Sequence, residues 1–153
     1  MTLKIAFVLP TIHVKAGGPP KVVFNICEGL SKIGYEIDVY CLSMIGKYGP
    51  IDITNNNKSI NFKIFDASSL FCEKIGYCKK LVNSFHENIH NYDIVHIHCV
   101  WEHFLLKIAR LCFKNNIPYV ISPHGMLDNF ELRKSAFQKK LWSNVFQLQK
   151  NSY

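Results

Sequence analysis

The fold is decided by the stretch LKIAFVLPTIHVKAGGPPKVVFNICEGLSKI, which spans residues 3–33. Residues 3–9 form an apolar run with a single lysine that ends at Pro10, a pattern typical of a strand buried on both faces. Between residues 20 and 33 apolar side chains recur at every third or fourth position, which predicts a helix. A polar loop containing Gly17 and Gly18 joins the two. A strand, a glycine loop and a helix in this order indicate the first unit of an α/β domain.

The same alternation continues along the chain. Four more apolar runs predict strands at residues 35–42, 60–65, 93–100 and 117–122. Apolar stripes with helical spacing predict helices at residues 69–90 and 101–116, and a last helix is expected from about Glu131 onward. The segment 46–58, which contains glycine, proline and three consecutive asparagines, is predicted to be a loop. The expected fold class is therefore α/β, a Rossmann-like parallel sheet with helices on both faces.

Length and composition favour a single folded domain over residues 1–153. Hydrophobic residues make up 48% of the chain and charged residues 19%, so a core can be buried and disorder is not expected. The longest apolar runs are too short for a helix that crosses a membrane. The six cysteines are scattered without a C-x-x-C pair, and this favours a reduced, cytoplasmic location.

Three loops are candidates for a binding site, because ligands of an open parallel sheet lie at the carboxyl ends of its strands. The first loop contains Gly17 and Gly18, whose backbone can approach an anion at the start of the first helix, with Lys21 close by. The pattern matches neither the dinucleotide fingerprint nor the P-loop motif. A plain strand-to-helix turn is an equally good interpretation of this loop.

The second loop follows the strand at residues 93–100, in which His96 and His98 share one face. Together with Glu102 or His103 they offer metal-ligating groups, but at no recognised spacing, so a histidine of the core or of the rim is the preferred interpretation. Another set has the residue types of a zinc finger, namely Cys72, Cys78, His86 and His90. Its spacing does not fit one, and no metal is expected.

The third loop is the polar turn Ser-Pro-His-Gly-Met at residues 122–126, after the last predicted strand. His124 is expected to face the mouth of the sheet and not its core, because the chain turns outward after Pro123. An imidazole in that place can donate a hydrogen bond to a sugar hydroxyl or to a developing anion.

Several of these motifs occur in an order that can be compared with a known family. They lie at residues 17–23, 34–39, 93–98, 122–127 and 139–142. Together they span nearly the whole chain and resemble the N-terminal, acceptor-side domain of a GT-B glycosyltransferase of the family 4 type. Pro19 and Pro20 depart from the residues that many members have after the paired glycines.

The resemblance implies a retaining hexosyltransferase that moves a sugar from a nucleotide-sugar donor to a glycan or lipid-linked acceptor, in the biosynthesis of cell-surface polysaccharide. It implies no metal and no cofactor. By position, Gly17 and Gly18 resemble the loop that approaches the donor phosphates, and His124 resembles the catalytic histidine beside the donor sugar. His98 and Lys21 would line the same cleft.

The resemblance also implies that this chain is one half of a GT-B fold. In that family a C-terminal domain, which lies outside residues 1–153, binds most of the nucleotide sugar. The chain alone is therefore expected to be inactive, as a truncated enzyme or as one subunit of a split enzyme that needs a C-terminal-domain partner chain.

The net charge of +7 favours anionic partners and leaves a second interpretation open. In that alternative the chain is a non-catalytic, basic Rossmann-like module that binds phosphorylated ligands or nucleic acid. Nucleic acid is the less favoured ligand, because the basic residues are not interleaved with aromatic ones along one surface. The basic stretch 133–150, with Lys74, Lys79 and Lys80, predicts weak, salt-sensitive contact with an anionic membrane, such as the inner membrane face.

Overall fold

The structure is a computed structural model that describes residues 2–51 and 58–128. The chain divides into two compact units, residues 1–122 and residues 123–153. The first unit contains a five-stranded sheet and the helices that cover it. The second unit is described over residues 123–128, which form a turn.

The sheet confirms the predicted fold class. Its strands are β1 (Lys4–Val8), β2 (Glu36–Leu42), β3 (Ile60–Phe65), β4 (Ile94–His98) and β5 (Tyr119–Ser122). All neighbouring pairs are parallel, and the order across the sheet is β3-β2-β1-β4-β5. Phe7 of β1 lies opposite Val39 of β2 and His96 of β4, so these three residues occupy the same face. The five strands are the predicted ones: β3 has the predicted bounds, and the other four are shorter at one or both ends.

Five helices accompany the sheet in the described residues. They are α1 (Gly18–Lys32), α2 (Ile45–Tyr48), α3 (Leu70–Lys74), α4 (Lys79–Asn88) and α5 (His103–Lys114). Short 3-10 turns occur at Val14–Ala16 and Ile89–Asn91. None of these helices has the length and apolar composition needed to span a bilayer.

The sheet is covered on both faces. On one face, Val23 and Cys27 of α1 pack on the buried side chains of β1 and β2, which are Ile5, Phe7, Leu9, Ile37, Val39 and Cys41. On the opposite face, Phe85 of α4 meets the ring of Tyr40 edge-on, with the ring centroids 5.3 Å apart. Val39 and Tyr40 are neighbours on β2 and point to opposite faces, so α1 and α4 lie on different sides of the sheet.

The prediction of one continuous helix at residues 69–90 is wrong. The chain breaks between α3 and α4 at Gly76, whose φ is +62°. The carbonyls of Ile75 and Gly76 accept hydrogen bonds from the N–H groups of His103 and Phe104, at 3.1 and 2.9 Å. These two N–H groups begin α5 and have no acceptor within their own helix. The carbonyls of Ile75 and Gly76 therefore cap the N-terminus of α5. These long-range hydrogen bonds stabilise the break, although the apolar stripe alone predicts a continuous helix.

The predicted loop at residues 46–58 needs a smaller correction, because it overlaps the helical turn α2. Residues 52–57 of this loop lie outside the described residues. The same holds for the helix predicted from Glu131, for the motif at 139–142 and for the basic stretch 133–150.

Candidate functional site

The carboxyl ends of β1 to β4 lie at one edge of the sheet, because all the strands are parallel. The loops that follow them are residues 9–17, 43–44, 66–69 and 99–102. This is the edge at which ligands of open α/β sheets bind. The loops after β1 and β4 contain the first two candidate sites of the sequence.

Gly17 and Gly18 lie at the N-terminus of α1, as predicted. Gly17 has a φ of +99° and caps the helix, so this position favours glycine for conformational reasons. The first four N–H positions of a helix have no acceptor within it, and two of them here are Pro19 and Pro20, which carry no N–H. The backbone donors at this end are consequently those of Gly17 and Gly18, with the exposed Lys21 in the first turn.

The space around Gly18 is informative. A Cβ atom built on Gly18 would meet no other atom of the chain within 4 Å. Its backbone is that of an ordinary first helical residue, without the positive φ of Gly17. Packing within the chain therefore does not explain a glycine at position 18, whereas Pro19 disfavours the helical backbone for a residue with a Cβ directly before it.

His13 is a buried polar residue of the same loop that the sequence analysis did not select. Its Nδ1 accepts a hydrogen bond from the N–H of Lys15 at 3.1 Å. Its ring stacks on that of Tyr48 in α2, with the centroids 5.4 Å apart. His13 thus connects the loop after β1 to the helix that follows β2. Its place in the loop after the buried strand β1, five residues beyond Val8, was the signal that could have identified it.

His98 is the last residue of β4 and is buried. Its ring lies 4.0 Å from that of His96 and 5.8 Å from that of Phe7, measured between centroids. The Nε2 atom of His96 is 2.8 Å from Oγ of Ser122, a hydrogen bond that joins β4 to the end of β5. In residues 2–51 and 58–128 no three His, Cys, Asp or Glu side chains come together as a possible metal site.

Glu102 ends the loop between β4 and α5. Burial raises the pKa of its carboxyl above the ordinary value, although the N–H groups of Glu102 and Trp101 and the ammonium of Lys47 oppose this shift. Among the described residues, no group forms a hydrogen bond with its Oε2 atom. A Cβ on Gly76 would lie 2.4 Å from Cβ of Glu102, so this glycine allows the loop to approach the break between α3 and α4.

Strained backbone is concentrated beside the carboxyl ends of strands. Within the described residues, four residues other than glycine have a positive φ. Three of them follow a strand within two residues: Met44 after β2, Cys99 after β4 and His124 after β5, with φ values of +49°, +70° and +50°. Such conformations cost on the order of 1–3 kcal/mol each and are enriched at functional sites.

His124 belongs to the second unit and lies in a tight turn. The N–H of Met126 donates to the carbonyl of Pro123 at 3.0 Å, and that of Asp128 donates to the carbonyl of Gly125 at 3.1 Å. Gly125 has a φ of +76°. Two successive residues with positive φ hold the imidazole on a turn and not in a strand or helix.

Comparison with known proteins gives three findings. The family model described as Glycosyltransferase Family 4 matches residues 16–152. Among curated proteins there is no significant match. Seven chains of solved structures match significantly. One is the C-terminal domain of the PF1911 hydrogenase from Pyrococcus furiosus, with a TM-score of 0.50, 10% identity, and coverage of 78% of this chain and 91% of that chain. At this identity, the similarity concerns the fold alone.

Proposed function

The chain belongs to glycosyltransferase family 4, and from this premise we propose that it is the acceptor-binding half of a retaining glycosyltransferase. The donor is a nucleotide sugar and the acceptor is a glycan or a lipid-linked sugar. A second Rossmann-like domain, as in other GT-B enzymes, binds most of the nucleotide and closes the cleft. The reaction needs no metal ion and no cofactor.

The glycine pair at the start of α1 is the observation that carries this proposal. In sugar transfer the bond between the anomeric carbon and the phosphate oxygen breaks, a bond to the acceptor oxygen forms, and the acceptor proton passes to the departing phosphate. Negative charge therefore grows on the phosphate. The N–H groups of Gly17 and Gly18, with the partial positive charge of the helix end, stabilise such charge.

The open space at Gly18 supports the same role. No atom of the chain would crowd a Cβ at this position, so a ligand has room to approach the backbone of Gly18 closely. The prolines at positions 19 and 20 remove two competing donors, so the phosphate is directed to the glycine pair. Lys21 adds a positive charge one residue further along the helix.

His124 completes the proposed chemistry as the catalytic residue beside the donor sugar. Its positive φ costs free energy that the turn must offset, and such strain is typical of residues held for a task. His98 is buried at the carboxyl end of β4, and we propose that it supports the wall of the cleft from within the sheet.

The glycine pair can be tested with the chain alone. Amide resonances of Gly17 and Gly18 are followed by NMR while inorganic pyrophosphate or a nucleoside diphosphate is added, and both are expected to shift. Gly18→Ala is expected to weaken this binding at least about tenfold, and urea unfolding of the variant measures the cost of a Cβ on a helical residue before Pro19. Gly29→Ala, an exposed helical position with equally open space, is the matched control and should bind normally.

Unchanged binding in the Gly18→Ala variant would contradict the phosphate role of the loop. Transfer itself is measured as nucleoside diphosphate release from a panel of nucleotide sugars, with the chain alone and with an added family 4 C-terminal domain. We expect turnover only in the mixture, and a loss of about 100-fold or more for His124→Ala with unchanged unfolding. Multiple turnover by the chain alone would show that it is not half of a cleft.

The alternative is a non-catalytic module that binds phosphorylated ligands or nucleic acid, and its support is the net charge of +7. Sugar transfer in the mixture distinguishes the enzyme from a module that binds phosphorylated ligands, and Gly18→Ala distinguishes both from a module that binds nucleic acid. Binding to nucleic acid through dispersed lysines would be insensitive to this substitution and strongly dependent on salt.

A further inference from the structure

His13 is a buried residue whose imidazole is engaged within the chain through one nitrogen. The residue is 7% exposed, and its Nδ1 atom accepts the hydrogen bond from the N–H of Lys15 that caps the 3-10 turn Val14–Ala16. A neutral imidazole has one nitrogen that accepts and one that donates. The proton of the neutral His13 ring is therefore on Nε2, which lies on the other side of the ring from Lys15.

The Nε2–H group of His13 is a donor without a hydrogen-bond acceptor in residues 2–51 and 58–128. The fully buried side-chain atoms that lack a partner in these residues belong to other side chains, so Nε2 is in contact with solvent. Polar groups of residues this deeply buried are usually hydrogen-bonded within the protein. The imidazole is thus held by the cap and by the ring of Tyr48, with one donor left for a ligand.

Tyr48 and Lys47 of α2 bring two further donors to the same place. The ring of Tyr48 stacks on that of His13, with the centroids 5.4 Å apart and the planes at 24°. The Nζ atom of Lys47 lies 4.9 Å from the centroid of the Tyr48 ring. Within the described residues, neither the Tyr48 hydroxyl nor the Lys47 ammonium has a hydrogen bond or a salt bridge. We call His13, Lys47 and Tyr48 the His13 cluster.

The His13 cluster lies at the carboxyl end of β1. His13 follows β1, Lys47 and Tyr48 follow β2, and the ammonium of Lys47 also acts on the carboxyl of Glu102 in the loop after β4. In the sheet, β2 and β3 lie on one side of β1, and β4 and β5 lie on the other. The strand order therefore changes direction beside β1, and this is the point at which open α/β sheets bind ligands.

The composition of the His13 cluster indicates the chemistry of its ligand. All three groups donate, one of them has a full positive charge, and the acceptor among them is the hydroxyl oxygen of Tyr48. A sugar hydroxyl donates as well as accepts, so a subsite for sugar alone needs carboxylate or amide acceptors beside its donors. The oxygens of a phosphate group accept and are negatively charged, and they form strong hydrogen bonds with such donors.

We propose that the His13 cluster is a phosphate-binding subsite, in addition to the glycine pair at the start of α1. The Nε2–H group of His13 and the hydroxyl of Tyr48 donate to phosphate oxygens, and the ammonium of Lys47 neutralises the charge. The glycine pair offers backbone N–H groups of one loop, whereas this subsite consists of side chains from two.

The phosphate of this subsite belongs to the acceptor. The glycine pair is assigned to the donor phosphates, so a second subsite at the same edge suits an acceptor with a phosphate of its own, such as a lipid-linked sugar. This assignment rests on the proposed function, whereas phosphate binding by the His13 cluster does not. The competing source of the same chemistry is the diphosphate of the nucleotide, and the test below separates the two.

The first measurement is an NMR titration of the full chain with inorganic phosphate, at constant pH and ionic strength. The imidazole signals of His13 and the ring signals of Tyr48 are expected to shift and to saturate. His90 is an exposed histidine that precedes β4, at the opposite edge of the sheet. It serves as the internal control, and its signals should stay unchanged.

Three substitutions remove one donor each. His13→Asn places an amide oxygen where Nδ1 accepts from Lys15, so the cap is kept and the Nε2–H group is lost. Tyr48→Phe keeps the stacked ring, and Lys47→Gln keeps a side chain of similar length without the charge. The affinity for phosphate is expected to fall about tenfold for His13→Asn and about fivefold for each of the other two.

Lys32→Gln is the matched control, because it removes an exposed lysine at the last residue of α1. It should bind phosphate normally, and urea unfolding of all four variants checks that the fold is kept. Tyr48→Phe and Lys47→Gln change partly or fully exposed side chains, so they test the subsite even if His13→Asn is unstable. Phosphate affinities of these variants equal to that of Lys32→Gln would overturn the subsite.

Titration of the Gly18→Ala variant separates the His13 cluster from the glycine pair. Inorganic phosphate should shift the signals of His13 in this variant as in the unchanged chain, and loss of that shift would overturn the proposal of a second subsite. These measurements need no sugar transfer, so the subsite and the proposed function can fail separately.

The source of the phosphate is tested with a nucleoside diphosphate and a short polyprenyl phosphate. The polyprenyl phosphate is expected to shift the signals of His13 with equal affinity in the presence and absence of saturating nucleotide. Its displacement by the nucleotide would overturn the assignment of this subsite to the acceptor.

Discussion

Replacing Asp38 by asparagine is expected to lower the free energy of unfolding by about 2 kcal/mol. Asp38 is buried on β2 and is the common acceptor of a polar network. Its Oδ2 accepts from the hydroxyl of Tyr92 at 2.6 Å and from Nζ of Lys63 at 3.0 Å, and its Oδ1 accepts from Asn61 at 3.1 Å. Nζ of Lys63 also donates to the hydroxyl of Tyr40 at 3.0 Å.

The magnitude follows from what asparagine keeps and what it loses. Its amide oxygen can still accept from Tyr92 and Lys63, and its NH₂ group can face Asn61 once that amide turns over. The substitution therefore removes the negative charge of the carboxylate and keeps the hydrogen bonds. A hydrogen bond to a charged group contributes about 1.5–3 kcal/mol and a neutral one about 1 kcal/mol, so two bonds lose about 1 kcal/mol each. Lys63 is partly exposed, and hydration keeps the loss below that of a fully buried pair.

The assay is urea unfolding at pH 7, with Glu36→Gln as the control. Glu36 lies on the same strand, is mostly exposed, and is 3.8 Å from the ammonium of Lys4, so its removal should change the stability by at most about 0.5 kcal/mol. A cycle of Asp38→Asn, Lys63→Met and the double variant isolates the ion pair. We expect a coupling free energy of about 1 kcal/mol.

The pH dependence of this effect has a defined sign. Burial tends to raise the pKa of Asp38, but the hydrogen bonds from Tyr92, Lys63 and Asn61 outweigh it and place this pKa below its ordinary value. The stabilisation is therefore present above the unfolded pKa of about 4 and is lost as the pH falls through the lower folded pKa. The difference between the unchanged chain and Asp38→Asn should shrink over that range. Equal stability of Asp38→Asn and Glu36→Gln at pH 7, or a difference that grows in acid, would refute this account.

Other substitutions test the packing around the loop after β4 and the open environment of Gly29 in α1. The raised pKa of Glu102 means that its contribution is present at low pH and is lost as the pH rises, so Glu102→Gln should stabilise the chain at pH 8 and not at pH 4, as urea unfolding would show. Gly76→Ala should cost more than about 2 kcal/mol in the same assay, because a Cβ there meets Glu102 at a positive φ. Gly29→Ala should instead add about 0.5–1 kcal/mol, and a loss would contradict the open environment found there.

The strands of the sheet could be predicted because each one has a recognisable pattern within its own short segment of sequence. The segments of β1, β2 and β4 are short, mostly apolar and bounded by Pro, Gly or polar residues, and few other structures bury such segments. The position of Gly17 and Gly18 at a helix start was predictable for the same reason. The role proposed for them follows from the family and from the space around Gly18, which the sequence does not show.

The features that sequence analysis missed depend on long-range contacts. The stripe from Phe71 to Ile89 has helical spacing throughout, and only the capping of α5 by the carbonyls of Ile75 and Gly76 explains the break. Likewise, Asp38 is one of two carboxylates in β2, and no local pattern distinguishes it from Glu36, because its partner Tyr92 is 54 positions away along the chain. Such pairs leave no local pattern, because their spacing reflects the topology of the sheet and not a helical or strand period.

Lys63 also affects how the domain behaves in concentrated solution. It lies on β3, which forms one edge of the sheet in the described residues, and an edge strand offers N–H and C=O groups with which another chain can pair. A charged side chain turned inward on an edge strand opposes this, because an added strand would remove water from the charge. The ion pair of Lys63 with Asp38 therefore holds a charge at the edge where intermolecular β-pairing and aggregation would begin.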